Sequence, residues 1–299
     1  LLASSAASDV YKRQIWAGGL IVREMEDMPS NFRCEGKLDD LLAEEGITGI
    51  TGIDTRALTR LLRKKGTMNG MITTDVDYCM SDVIMKLHTY KMGNVVRETS
   101  CKESYVLKGD GPRIALLDLG AKANIAASLN KRGCEVTVYP ADTSAETILQ
   151  ANPDGIMLSN GPGDPSTCME IISQVRRLYE SDIPIFAICL GHQLMALANG
   201  AKTYKLTYGH RGGNHPVKDL TDGKVYISSQ NHGYAVDAGS MEAGIAEELF
   251  VNVNDGTNEG LRYKNKKIMT VQFHPEACGG PLDTRFLFDR FIDNMERKG

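Results

Sequence analysis

From residue 113 onward the chain alternates short apolar runs with amphipathic stretches. RIALLDLG from 113, CEVTVYP from 134, GIMLSNGPGDP from 155 and IPIFAI from 183 each carry an apolar block with little polar alternation. Such runs mark strands buried on both faces. Between them KANIAASLNKRG predicts a helix closing at Gly133, Thr143 and Glu146 are spaced as a capping box, and 169–180 predicts another helix. Strands alternating with helices of this length imply an α/β fold with a parallel sheet covered on both faces. Beyond Ala201 the pattern turns strand-rich, in KVYISSQNHGYAVD, LFVNVNDGTNEGLRY and KKIMTVQFHPE, and it closes on an amphipathic helix carrying Phe288, Phe291, Ile292 and Met295.

The preceding region, 15–107, reads differently. Helices are expected over 37–45 and 54–65, the second with Asp54 as N-cap, Leu58, Leu61 and Leu62 on one face, and Gly66 as its stop. GITGITGID between them is too rich in glycine for a regular element and predicts a tight turn. A strand around 68–73 and a helix around 81–90 follow. LKGDGP ends in the expected linker, 108–112, ahead of a second domain over 113–299.

Composition narrows the class. Of 299 residues 42% are hydrophobic and 24% charged, with net charge −4, so no global field favours nucleic acid or an anionic membrane. No apolar run approaches the roughly 18 residues of a membrane helix. The basic run Arg60, Arg63, Lys64 and Lys65 reads as a solvated helix end or as a docking patch for a protein partner. Seven cysteines, none in a C-x-x-C pair or with zinc-finger spacing, argue against disulfides and structural metal and fit a reducing cytoplasm. LLASSAASDVYKRQ, residues 1–14, lacks the features of a secretory signal and resembles a translated adapter tail. It is set aside, with the native beginning expected upstream and the 15–107 region expected to fold less well than 113–299.

Three segments put unusual residues after strands, where ligands of open α/β sheets sit. Cys189 follows IPIFAI at a strand-to-helix turn, where helix N–H groups favour thiolate. A small buried hydrophobe is the plainer reading of a lone cysteine. LSNGPGDP reads as a simple turn, or as a place where Gly161 offers its N–H to an oxyanion and Gly163 lets substrate lie against the backbone. In VQFHPEA, Pro275 holds His274 extended, so His274 and Glu276 project to one side. They read as a surface pair, or as a base and its orienting carboxylate serving a nucleophile.

Together ICLGHQ, SNGPGDP and FHPEA resemble the class I glutamine amidotransferase family. GIDTRALTRLLRKKG, GHRGGNHPV, SQNHGYAVD and NDGTNEGL are similar, more narrowly, to the glutamine-hydrolysing small subunits of carbamoyl-phosphate synthase, from about Ala17 to the end. The resemblance implies a flavodoxin-like amidotransferase domain with a central, mostly parallel sheet, preceded by a truncated α/β small-subunit domain. It implies Cys189 as nucleophile on the glutamine amide, His274 as acid and base, and Glu276 as its orienter. Backbone N–H groups of Gly161 and Leu190 would hold the oxyanion, and Gly163, Gln193, Asn231, Gly233 and Tyr234 would contact glutamine. Ammonia would pass to a large synthetase subunit, which combines it with bicarbonate and ATP into carbamoyl phosphate for arginine and pyrimidine biosynthesis. No cofactor is expected in this chain, since ATP and Mg belong to that partner.

Ala187 stands where the family most often has Gly, and Tyr234 replaces a common Phe, so its hydroxyl needs a partner. Two other readings stay open: a non-catalytic glutamine-binding or regulatory module of the same fold, and a cysteine hydrolase of γ-glutamyl peptides.

Overall fold

A computed structural model describes residues 17–296, apart from 32, 33, 35, 67, 91, 92, 94 and 279. The tail assigned to 1–14 lies outside the described residues. The chain divides into two compact units, one ending at Gly93 and the other taking up nearly all the rest. The division falls ahead of the segment 108–112 expected as linker, because 95–107 pack with the second unit.

In the first unit β1 (Leu20–Ile21) pairs in parallel with β2 (Gly49–Ile50), with α1 (Leu38–Glu44) between them, and α2 (Thr55–Lys65) and α3 (Met80–Thr89) following. The glycine-rich GITGITGID thus contains a two-residue strand, flanked by Gly46 and Gly52 at φ +66° and +79°. Asp54 caps α2 by accepting the Ala57 N–H, and Arg63, Lys64 and Lys65 fill its last turn, where cations complement the helix dipole. The strand expected at 68–73 does not form among the described residues. Leu42 is the one buried side chain among the described residues of this unit.

The second unit opens with α4 (Val95–Thr99) and builds a ten-stranded sheet. Its strands are β3 (Tyr105–Leu107), β4 (Arg113–Asp118), β5 (Glu135–Pro140), β6 (Gly155–Leu158), β7 (Ile185–Ile188), β8 (Lys202–Asp219), β9 (Val225–Asp237), β10 (Ala246–Asn252), β11 (Asn258–Tyr263) and β12 (Ile268–Val271). The order is β3-β5-β4-β6-β7-β12-β11-β10-β8-β9. The central block from β5 to β12 is parallel, and β3 and the β11-β10-β8-β9 wing are antiparallel.

The apolar runs have a direct cause. Ala115, Leu117, Ile156, Leu158, Ile185 and Ala187 point to one face, where α6 (Ala145–Gln150), α7 (Met169–Glu180) and α8 (Leu190–Ala198) pack. Ile114, Leu116, Met157, Phe186 and Ile188 point to the other, against α5 (Ala123–Asn130) and α9 (Phe286–Glu296). Alternate residues serve opposite cores, so no polar alternation survives in the sequence. One boundary differs from the sequence reading: Ser144, not Thr143, caps α6, its hydroxyl accepting the Thr147 N–H at 3.1 Å.

Candidate active site

Three adjacent parallel strands end together. β7 runs into Cys189, β6 into Ser159, Asn160 and Gly161, and β12 into Gln272, Phe273 and His274. Cys189 occupies φ +52°, ψ −103°, a strained conformation for a side-chain-bearing residue, between strand and helix. Its N–H donates to the Val271 carbonyl at 2.8 Å, which ties the turn to the strand that delivers His274. Gly191 is required by packing: a Cβ there would lie 2.6 Å from the Leu158 carbonyl oxygen. Ala187 lies inside β7 without positive φ, so its methyl is compatible with the turn.

His274 Nδ1 lies 2.6 Å from Glu276 Oε1, and both side chains are buried. Lys122 Nζ reaches the same carboxylate oxygen at 3.3 Å, and Asn124 donates to the Glu276 carbonyl. Burial alone would raise the Glu276 pKa; His274 and Lys122 override it and hold the carboxyl at about 2. With that carboxylate ionised, Nδ1 carries the His274 proton and Nε2 presents its lone pair, and Nε2 is buried without a hydrogen-bond partner among the described residues. Burial, then the Lys122 charge, lowers the His274 pKa, so the resting imidazole is neutral.

The thiol departs from the sequence expectation. Burial pushes Cys189 up to about 12, outweighing Lys122 and the Leu190 N–H, which both favour thiolate. The resting sulfur is protonated. The helix end helps, but desolvation wins because the side chain is almost wholly enclosed.

The remaining predicted residues divide into two groups. Gly161 sits under the Cys189 turn, where a Cβ would lie 2.1 Å from the Leu119 carbonyl oxygen, and its N–H makes no backbone hydrogen bond among the described residues. Gln193, in the first turns of α8, donates from Nε2 to the Tyr234 carbonyl and to Gln272 Oε1, each at 2.9 Å. Tyr234, Gly233 and Asn231 lie on β9, an edge strand of the sheet whose Ser229 carbonyl accepts the His274 N–H at 2.9 Å. The β9 segment therefore borders the same strand ends. The Tyr234 hydroxyl finds its partner in Asp164 of the LSNGPGDP loop, and burial together with that carboxylate raises its pKa. Gly163, at φ +98°, is exposed on that loop, farther out than Gly161.

Sequence reasoning missed Lys122, Asn124, Ser229 and Gln272. Lysine and asparagine on a loop or helix look like surface, and only the fold reveals Lys122 as an enclosed cation over Glu276.

A family model described as "Glutamine amidotransferase class-I" matches residues 115–294, so the chain carries a domain of that class. A second, "Carbamoyl-phosphate synthase small chain, CPSase domain", matches 4–72 and so reaches into the segment set aside as a tail. The carbamoyl phosphate synthase small chain of Symbiobacterium thermophilum is 47% identical over 298 residues, 97% of this chain and 82% of that one. That of Bacillus cereus is 50% identical over 287 residues, covering 94% and 77%. The chain belongs to the carbamoyl phosphate synthase small chain family. A solved Thermoplasma acidophilum structure, described as a GMP synthase protein, shares the fold at TM-score 0.56 and 20% identity, over 63% of this chain and 96% of that one. Among the described residues no helix is long and apolar enough to cross a membrane.

Proposed function

We propose that the chain hydrolyses glutamine to glutamate and ammonia and passes the ammonia to a large synthetase subunit. Cys189 Sγ attacks the side-chain amide carbon while His274 Nε2 takes the thiol proton. The proton then goes to the departing ammonia, which leaves a γ-glutamyl thioester. A water, losing its proton to Nε2, opens the thioester to glutamate and restores the thiol. Glu276 stabilises the imidazolium that forms twice in this cycle. Gly161 and Leu190 N–H groups receive the oxyanion, where one donor is worth about 3 to 4 kcal/mol in the transition state. Gly163, Gln193, Asn231, Gly233 and Tyr234 border the glutamine.

The observation that carries this reading is the 2.6 Å His274–Glu276 pair just past the end of β12, the strand paired with the one that delivers Cys189. The partner would be the large synthetase subunit, holding ATP and Mg and making carbamoyl phosphate from bicarbonate for arginine and pyrimidine supply in the cytoplasm. Exposed Leu61, Met71, Met80, Ile84 and Met85 on the first unit supply apolar area for such a partner.

The deciding experiment is Cys189→Ser in the complex with a large subunit. Glutamine-dependent carbamoyl phosphate synthesis should vanish while ammonia-dependent synthesis survives. Equal loss of both would assign Cys189 a structural role, and retention of both would favour a non-catalytic module.

A further inference from the structure

The β8 strand breaks register with β9 twice, between Lys205 and His210 and between Gly212 and His215. Gly209 and Gly212 take φ +67° and +128° on either side of His210, and a Cβ on Gly209 would lie 2.3 Å from the His232 carbonyl oxygen. Irregularities of this kind re-aim a side chain. The one they aim inward is His210, whose Nε2 lies 2.8 Å from Asp255 Oδ2 and whose Nδ1 lies 3.4 Å from Glu259 Oε1.

Glu259, on β11, is fully buried. One of its oxygens accepts from Asn252 Nδ2 at 3.0 Å, and the other has no hydrogen-bond partner among the described residues. His210 makes its one ion pair among those residues. A buried carboxylate is costly without a countercharge, so His210 is what makes Glu259 tolerable. Burial opposes the charged ring, but the carboxylates of Glu259 and then Asp255 raise the His210 pKa above its ordinary value. His215 and His232 also face the ring, and burial, aided by the His210 charge, pushes His232 down to about 3, so His232 adds no second charge.

The pair reaches the catalytic strand ends by two routes. The Glu259 carbonyl accepts the Gln272 N–H at 2.9 Å, two residues before His274. His232 stands edge-on to His210, ring centroids 4.9 Å apart, and its Nδ1 lies 2.8 Å from the Tyr234 carbonyl, which also accepts the Gln193 amide.

We propose that His210, clamped between Asp255 and Glu259, is a positioning residue for glutamine: it fixes Glu259 and His232, and through them Gln272 and the 231–234 segment that border the substrate. The inference rests on the amidotransferase reading. It differs from a packing role because it makes substrate affinity depend on the charge balance between 210 and 259.

The test is steady-state glutamate release by the full chain carrying His210→Asn, His210→Asn with Glu259→Gln, or Asp255→Asn. Losing the charged ring between Asp255 and Glu259 should raise KM for glutamine about tenfold in His210→Asn with kcat nearly unchanged. The double variant, which no longer buries a lone carboxylate, should recover most of that loss, and Asp255→Asn should raise KM a few-fold. An unchanged KM in His210→Asn, a fall in kcat alone, or a double variant no better than the single one overturns the proposal. If His210→Asn fails to fold, Asp255→Asn decides: a raised KM supports it and a parental KM overturns it. Absence of glutamate release from the unsubstituted chain sinks the amidotransferase reading itself, an outcome distinct from release with KM insensitive to residue 210.

Discussion

Replacing Glu276 with glutamine keeps the shape of the side chain and deletes its charge. The parent carboxylate contacts His274 Nδ1 at 2.6 Å and Lys122 Nζ at 3.3 Å, all three groups being enclosed. On the proposed mechanism His274 takes the thiol proton, and an imidazolium would then appear against that carboxylate. At an effective dielectric of about 20, a charge pair about 4 Å apart is worth about 4 kcal/mol. At about 1.4 kcal/mol per decade, Glu276→Gln should lower kcat by about three orders of magnitude. KM should change little, because Glu276 lies behind His274 rather than against glutamine. Lys122 then becomes a liability: it lowers the His274 pKa already, and without Glu276 it opposes the imidazolium unchecked. Adding Lys122→Met to Glu276→Gln should therefore restore part of the rate, roughly tenfold on the same scale. The assay is glutamate release at saturating glutamine, with urea unfolding as the control for folding. A Glu276→Gln chain within tenfold of the parent kcat would refute the electrostatic account, as would a Lys122→Met addition that deepens the defect.

Other outcomes follow from single contacts. Gly191→Ala should destabilise the chain by about 1 to 3 kcal/mol, since the new Cβ meets the Leu158 backbone, and a urea midpoint equal to the parent's would contradict that. Ser144→Ala should cost about 1 kcal/mol through the lost cap while Thr143→Ala costs little; equal unfolding midpoints for the two variants would count against the assignment. In iodoacetamide labelling near pH 8 without glutamine, exposed Cys79, its pKa lowered chiefly by Ser81, should react before Cys189, whose thiol burial holds near 12. Mass spectrometry finding Cys189 labelled first would refute burial as the dominant influence.

Much of this was legible in the residues. The apolar runs announced strands because β4, β6 and β7 feed two cores at once, and α7 falls where its periodicity put it. Cys189, His274 and Glu276 could be singled out because each closely follows a strand. The parts that escaped depend on long-range pairing. The two-residue strand in GITGITGID exists only because 20–21 lie beside it, and β3 joins the second unit only by pairing with β5. Lys122 and Glu259 escaped for another reason: a charged residue carries no local mark of burial, and its partners stand far along the chain.

The protonated thiol changes how the candidate chemistry has to run. With Cys189 pushed up to about 12 and His274 held below its ordinary value, both by burial, moving the proton from sulfur to imidazole is unfavourable at rest. The thiolate–imidazolium form is therefore rare at rest. On the proposed mechanism, proton transfer would then accompany attack, when the negative charge leaves the sulfur for an oxygen that the Gly161 and Leu190 N–H groups would receive. On the glutaminase reading proposed above, a site built this way would stay inert until an amide carbonyl is seated, which would suit a chain that supplies ammonia to a partner.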